Sequence, residues 1–224
     1  MRGKKAKQIR YANVMNETYV LQELQDWWMV QENIDMNACI LAARVSKEVL
    51  DHYGIRHRVF AVQASAMNRQ RIERLASLAD DDDGMTFIGD EYAVGANDGT
   101  MDANGFAGHL IVVTAKNFLI DLTNYQFDRP EHGIVTGEEQ QILRIDNLFT
   151  DLTKGHRIGI ELEQGRMYYT PMDTTVYTQS PDWRISGHRL GQAAINKIGA
   201  IMKINDSLRA LMAMDEKAMN VRRT

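Results

Sequence analysis

Residues 37–60 read NACILAARVSKEVLDHYGIRHRVF, and the fold turns on how this stretch divides. At about 100° per residue, Ala38, Cys39, Leu41, Ala42, Ala43, Val45, Val49 and Leu50 fall on one broad arc of a helix. Arg44, Lys47, Glu48 and Asp51 fill the other side. Asn37 suits an N-cap, and Gly54 suits a left-handed C′ residue, so the spacing predicts a helix over 38–53. The alternation in HRVFAVQA, residues 57–64, predicts a strand directly after it. The first turn of that helix carries Cys39, the one cysteine among 224 residues.

Unsatisfied backbone N–H groups and the positive end of the helix dipole make a first turn a favourable place for a thiolate. A small core hydrophobe fits the same position, so a nucleophile needs a second signal. HLIVVTAKNFLIDLT, residues 109–123, supplies one. Two continuous apolar runs around a short turn at 115–117 predict a β-hairpin whose strands are interior. With a three-residue turn, position 111 opposes 121, which makes His109 and Asp121 diagonal neighbours on one face. A carboxylate in so apolar a strand needs a partner, and His109 is the nearest. Imidazole beside carboxylate is the pairing that fixes a tautomer and stabilises imidazolium. Packing the cysteine helix on that face would bring thiol, imidazole and carboxylate into line for nucleophilic catalysis.

The segment CILAARVSKEVLDHYGIRHRVF resembles the nucleophile segment of the transglutaminase-like, papain-fold superfamily, in which a catalytic Cys opens a helix ending in a Gly-Ile turn. GHLIVVTAKNFLIDLTNYQF, residues 108–127, resembles the matching His and Asp strands, with Thr or Asn closely following the Asp. The likeness spans Asn37 to Phe127 in the order Cys, His, Asp. It implies an α+β papain-like fold, with the Cys-bearing helix packed on an antiparallel sheet and helices toward the C-terminus. It also implies Cys39 as nucleophile, His109 as general base and acid, and Asp121 as orienting carboxylate, with no cofactor and no metal. The activity implied is that of a cysteine-dependent hydrolase or acyltransferase working through a thioester on an amide, peptide or related acyl bond.

Three departures sharpen the resemblance. Asn37-Ala38 stands before the Cys where Gly is frequent, Ile111 replaces an aromatic residue frequent in transglutaminases, and the Arg-Gly-Gly approach of arylamine acetyltransferases is absent. The bacterial transglutaminase-like cysteine proteinases look closer. An oxyanion hole would join the Cys39 N–H to an upstream donor, for which Asn33, Trp28 and Gln31 are the candidates. A non-catalytic binding or inhibitor protein that keeps the same fold is the rival reading, since fold does not establish activity.

Outward from this core, NETYVLQELQDWW predicts a helix over 16–28, and AMNRQRIERLASLA, residues 66–79, predicts another. A long acidic, glycine-rich loop follows, with one strand around Met85 to Ile88. Aligning Gly84 with the invariant glycine of a calcium loop puts Ala79 at the first ligand, so a solvated loop is the better reading. Residues 159–183 offer two or three strands, with turns near Gln164-Gly165 and Met172-Asp173. Residues 189–214 repeat apolar residues at helical spacing, with a break or kink near Asn205-Asp206. One domain over 1–224 is expected, with a catalytic core over 16–150 and a hairpin and helical extension over 151–224. The C-terminal methionines suit either a core or a face for a second copy of the chain.

Hydrophobic residues are 44% and charged residues 25% of the chain, as in soluble globular proteins. A net charge of -4 gives no reason to expect nucleic acid, and the basic run from Arg2 to Arg10 reads as a solvated tail. No apolar stretch nears the roughly 18–20 residues that span a bilayer, and the first thirty residues lack a signal-like apolar core. A cytoplasmic protein acting on a protein, peptide or small acyl substrate is therefore the expectation, without membrane or nucleic-acid partners.

Overall fold

The computed structural model describes residues 17–31, 38–77, 91–94, 99–102, 105–137 and 141–221. Helix α1, Glu17–Met29, buries Val20, Leu21, Leu24, Trp27 and Trp28 at helical spacing. Helix α2, Cys39–Tyr53, stops at Gly54, whose φ of 70° lets its N–H close on the Leu50 and Asp51 carbonyls. Ala38, which has no side chain to cap with, holds the position expected for Asn37. Asn37 itself lies outside the described residues.

Strand β1, His57–Asn68, is longer than the eight residues expected, and helix α3, Arg69–Ser77, starts correspondingly later. The extra length has a physical cause, because β1 serves three neighbours. Its first half pairs with β5, His109–Thr114. Its second half pairs on one side with β2, Glu91–Val94, and on the other with β9, Gly165–Met172. A two-strand pair, β3 Met101–Asp102 with β4 Gly105–Phe106, precedes β5. β6, Phe118–Ile120, β7, Ile142–Arg144, and β8, Ile158–Leu162, complete an antiparallel sheet. Its order is β7-β6-β5-β1-β9-β8, with β2 paired to β1 off this path. Short helix α4, Leu148–Thr153, connects β7 to β8, and α5, Gly187–Val221, closes the described chain.

The hairpin expected as an extension forms one side of the same sheet, with β9 directly beside β1 and β8 at the edge. Past Met172 there is no third strand: Val176–Gln179 forms a 3-10 turn. The helix break expected at Asn205-Asp206 is also absent, and α5 runs continuously through it. Local propensity is overridden by a tertiary contact there, because the Asn205 amide bonds the Tyr19 hydroxyl of α1. The strand expected at Met85–Ile88 and the acidic run before it lie outside the described residues.

Alternation along the strands sends side chains to two cores. Ala61, Leu110, Val112 and Ile120 join α1, α2 and α5 in one. Phe60, Val62, Ile111, Val113 and Leu119 join Phe127, Leu148, Leu152 and Tyr169 in the other. Burial on both faces explains the unbroken apolar run of β5. Helix α5 covers part of the polar side of α2 and comes close. A Cβ at Gly191 would lie 2.6 Å from Glu48 Cβ, so glycine is required for that approach. Met202 is one of the core residues on α5. Among the described residues no helix is long and apolar enough to cross a membrane.

Candidate active site

The hairpin has the register that a three-residue turn demands. Val112 opposes Ile120 and Val113 opposes Leu119, with Asn117 at φ 68° turning the chain. His109, the first residue of β5, and Asp121, just past β6, therefore meet on one face. His109 Nε2 lies 2.8 Å from Asp121 Oδ2, and the pair is completely buried. An unpaired carboxylate there would be costly, and this one is surrounded by donors. Tyr169 Oη donates to Oδ2 at 2.8 Å. The Thr123 N–H donates to Oδ1 at 3.2 Å, with the Thr123 hydroxyl at 3.4 Å.

The ring of His109 is fixed by packing as well. Tyr169 stacks on it with centroids 6.4 Å apart, and Phe127 meets it edge-on at 5.3 Å. Its second nitrogen, Nδ1, is 2.6 Å from Nε2 of Gln126, an amide donor. Burial opposes charging of the ring. The charge and hydrogen bond of Asp121, with further contributions from a hydrogen bond and charge of Cys39, outweigh it and raise the pKa from 6.5 to about 10. Burial first and Asp121 second push the Tyr169 phenol well above 10, so it stays a donor to the carboxylate.

Cys39 is thus a neighbour of the same ring, reached by a route the sequence reading did not anticipate. Helix α2 packs with Leu110 and Val112, whereas Ile111, Val113 and the aromatic neighbours of His109 belong to the opposite core. The expectation that α2 lies on the face bearing His109 and Asp121 is corrected accordingly. The apolar arc of α2 packs on the face made by Leu110, Val112 and Ile120, and Cys39 in its first turn is a neighbour of the ring. Cys39 is the first residue of α2 and is 6% exposed, and His109 has no exposed surface.

The upstream oxyanion candidates are differently engaged. The Trp28 indole lies by the Tyr125 phenol, where it opposes the rise in that group's pKa caused by burial and Asp121. The Gln31 amide donates to the Trp27 carbonyl at 2.7 Å, finishing α1. Asn33 lies outside the described residues. Two site residues escaped the sequence reading. Gln126 had no motif to betray it and enters only because the 3-10 turn Asn124–Phe127 folds back beneath His109. Tyr169 stands in an evident strand, but nothing local says that its hydroxyl travels to a carboxylate 48 residues away. Among the described residues no group of three or more His, Cys, Asp or Glu gathers as a metal site. Comparison with family models, curated proteins and solved structures finds no match.

Proposed function

We propose that the chain is a papain-like, transglutaminase-like thiol hydrolase, acting on an amide, peptide or related acyl bond. The observation that carries the reading is the buried His109–Asp121 pair, with Cys39 as a further partner of the ring. In the proposed reaction the thiol proton already resides on His109, and the Cys39 sulfur attacks the acyl carbonyl as thiolate. The tetrahedral adduct collapses to a thioester as the His109 imidazolium gives its proton to the leaving group. The neutral ring then takes a proton from the attacking water, which releases the acid and restores the thiolate and the imidazolium. Asp121 holds the ring throughout, itself steadied by Tyr169 and Thr123. The N–H groups of the first turn of α2 are the donors available to the developing oxyanion. Hydrolysis is preferred to transfer to an amine.

One observation favours the rival, a non-catalytic binding protein. The ring is wholly enclosed, and both its nitrogens already have partners in Asp121 and Gln126. Alkylation separates the two readings. With iodoacetamide at pH 6.5, an imidazole-activated Cys39 reacts at least about tenfold faster in the wild type than in His109→Ala. Equal rates in two folded proteins would remove the support for catalysis.

A further inference from the structure

We infer that a second cleft, between the end of α1 and the turn after Asp121, binds the guanidinium group of an arginine-like ligand. The cleft has a volume of about 350 Å³, and its lining includes Trp28, Met29, Asn124, Tyr125, Asp128 and Gln141. Ligand sites combine apolar walls with a few placed polar groups, and two of the polar atoms among the lining residues are acceptors without a donor. The side-chain oxygens Asn124 Oδ1 and Gln141 Oε1 are buried and take no hydrogen bond. Asn124 is 2% and Gln141 1% exposed, so each oxygen is lost to solvent unless a ligand reaches it.

Their orientation is not arbitrary. The Asn124 amide nitrogen donates to the Gly137 carbonyl, and that of Gln141 donates to Sδ of Met29 in the cleft wall, so both nitrogen ends have acceptors within the protein. Asp128 is the one charged residue in the described lining. Its carboxylate is held through Oδ1 by the Thr136 N–H at 2.6 Å and hydroxyl at 2.7 Å. The neighbouring Arg129 guanidinium is turned onto the Gln126 and Asp128 carbonyls. One carboxylate, two amide oxygens and the aromatic walls of Trp28 and Tyr125 together match a planar cation with several N–H donors. Trp28 and Tyr125 both line the cleft. The Asp121 N–H bonds the Gln141 carbonyl at 2.8 Å, and the Asn124 N–H bonds the Asp121 carbonyl at 3.4 Å, so the cleft adjoins the backbone of the site above. The inference stands apart from the chemistry of Cys39, because it concerns binding alone.

The test uses the full chain with Cys39→Ala. Nα-acetyl-arginine amide and its neutral isostere Nα-acetyl-citrulline amide are titrated while the Trp28 indole N–H resonance, assigned with Trp28→Phe, is followed. The arginine compound should shift that resonance saturably and bind at least about tenfold more tightly than the citrulline compound. Asp128→Asn should bring the two affinities together, and Gln141→Leu should weaken both. Equal affinities in the unchanged chain, no saturable shift, or a folded Asp128→Asn that binds arginine as before would overturn the inference. If a variant fails to fold, the two compounds still decide the matter in the unchanged chain.

Discussion

The two faces of the β5-β6 hairpin are made from one short stretch of chain, yet they are held by different physics. Toward α2, Leu110, Val112 and Ile120 contribute shape and apolar area only. At the strand ends on the other face, His109 and Asp121 contribute charge, and each needs its partners. A hydrophobic face tolerates substitutions that conserve volume, because dispersion and burial are spread over many contacts. A buried polar network does not, because removing one member leaves the others unsatisfied in a medium that cannot replace them.

The sharpest way to break this contrast is to delete the carboxylate. Asp121→Ala strands the His109 ring, the Tyr169 hydroxyl and the Thr123 donors, and should cost about 3–5 kcal/mol in urea unfolding. The same pair sets a pH profile. The folded-state pKa of His109 lies above its unfolded value, so the folded state holds the extra proton between about 6.5 and about 10. The stability it contributes is therefore complete below about pH 6.5 and is lost as pH rises toward 10. Unfolding midpoints measured across that range should fall, and the fall should flatten in Asp121→Asn.

Chemistry should follow the polar face too. Acetylation of Cys39 by p-nitrophenyl acetate, read by nitrophenolate release, should slow by about 100-fold or more in His109→Ala. In Leu110→Met, a change on the aliphatic face, it should stay within about twofold. That same Leu110→Met should cost less than about 1.5 kcal/mol of stability, since it conserves volume. The smallest expected effect on the polar side is Tyr169→Phe, at about 1 kcal/mol, because one neutral donor to Asp121 is lost while the stacked ring stays. If Leu110→Met proved as damaging as Asp121→Ala, the distinction between the faces would fail.

Much of this was legible from local pattern. The cysteine helix follows from the apolar period between Cys39 and Tyr53 and from Gly54 after it. The pairing of His109 with Asp121 follows from the length of one turn. The places where the reading fell short share a cause, which is contact between segments distant in the chain. Ala64–Asn68 stay extended because β2 and β9 flank them. Asn205 remains helical because Tyr19 meets it. Gln31 was a reasonable oxyanion donor by position, but its side-chain amide bonds the carbonyl of Trp27.

By itself the sequence determined the cysteine helix, the hairpin register and the meeting of an imidazole with a carboxylate. Periodicity and turn length act over a few residues and need no knowledge of the rest. Only the tertiary structure decided that α2 packs on the aliphatic face and reaches His109 through its first turn. It also decided that Gln126 and Tyr169 complete the surroundings of the buried pair. A buried charge draws its partners from whatever the fold brings near, and that choice is made in space, where residues 48 apart in the chain can lie 2.8 Å apart.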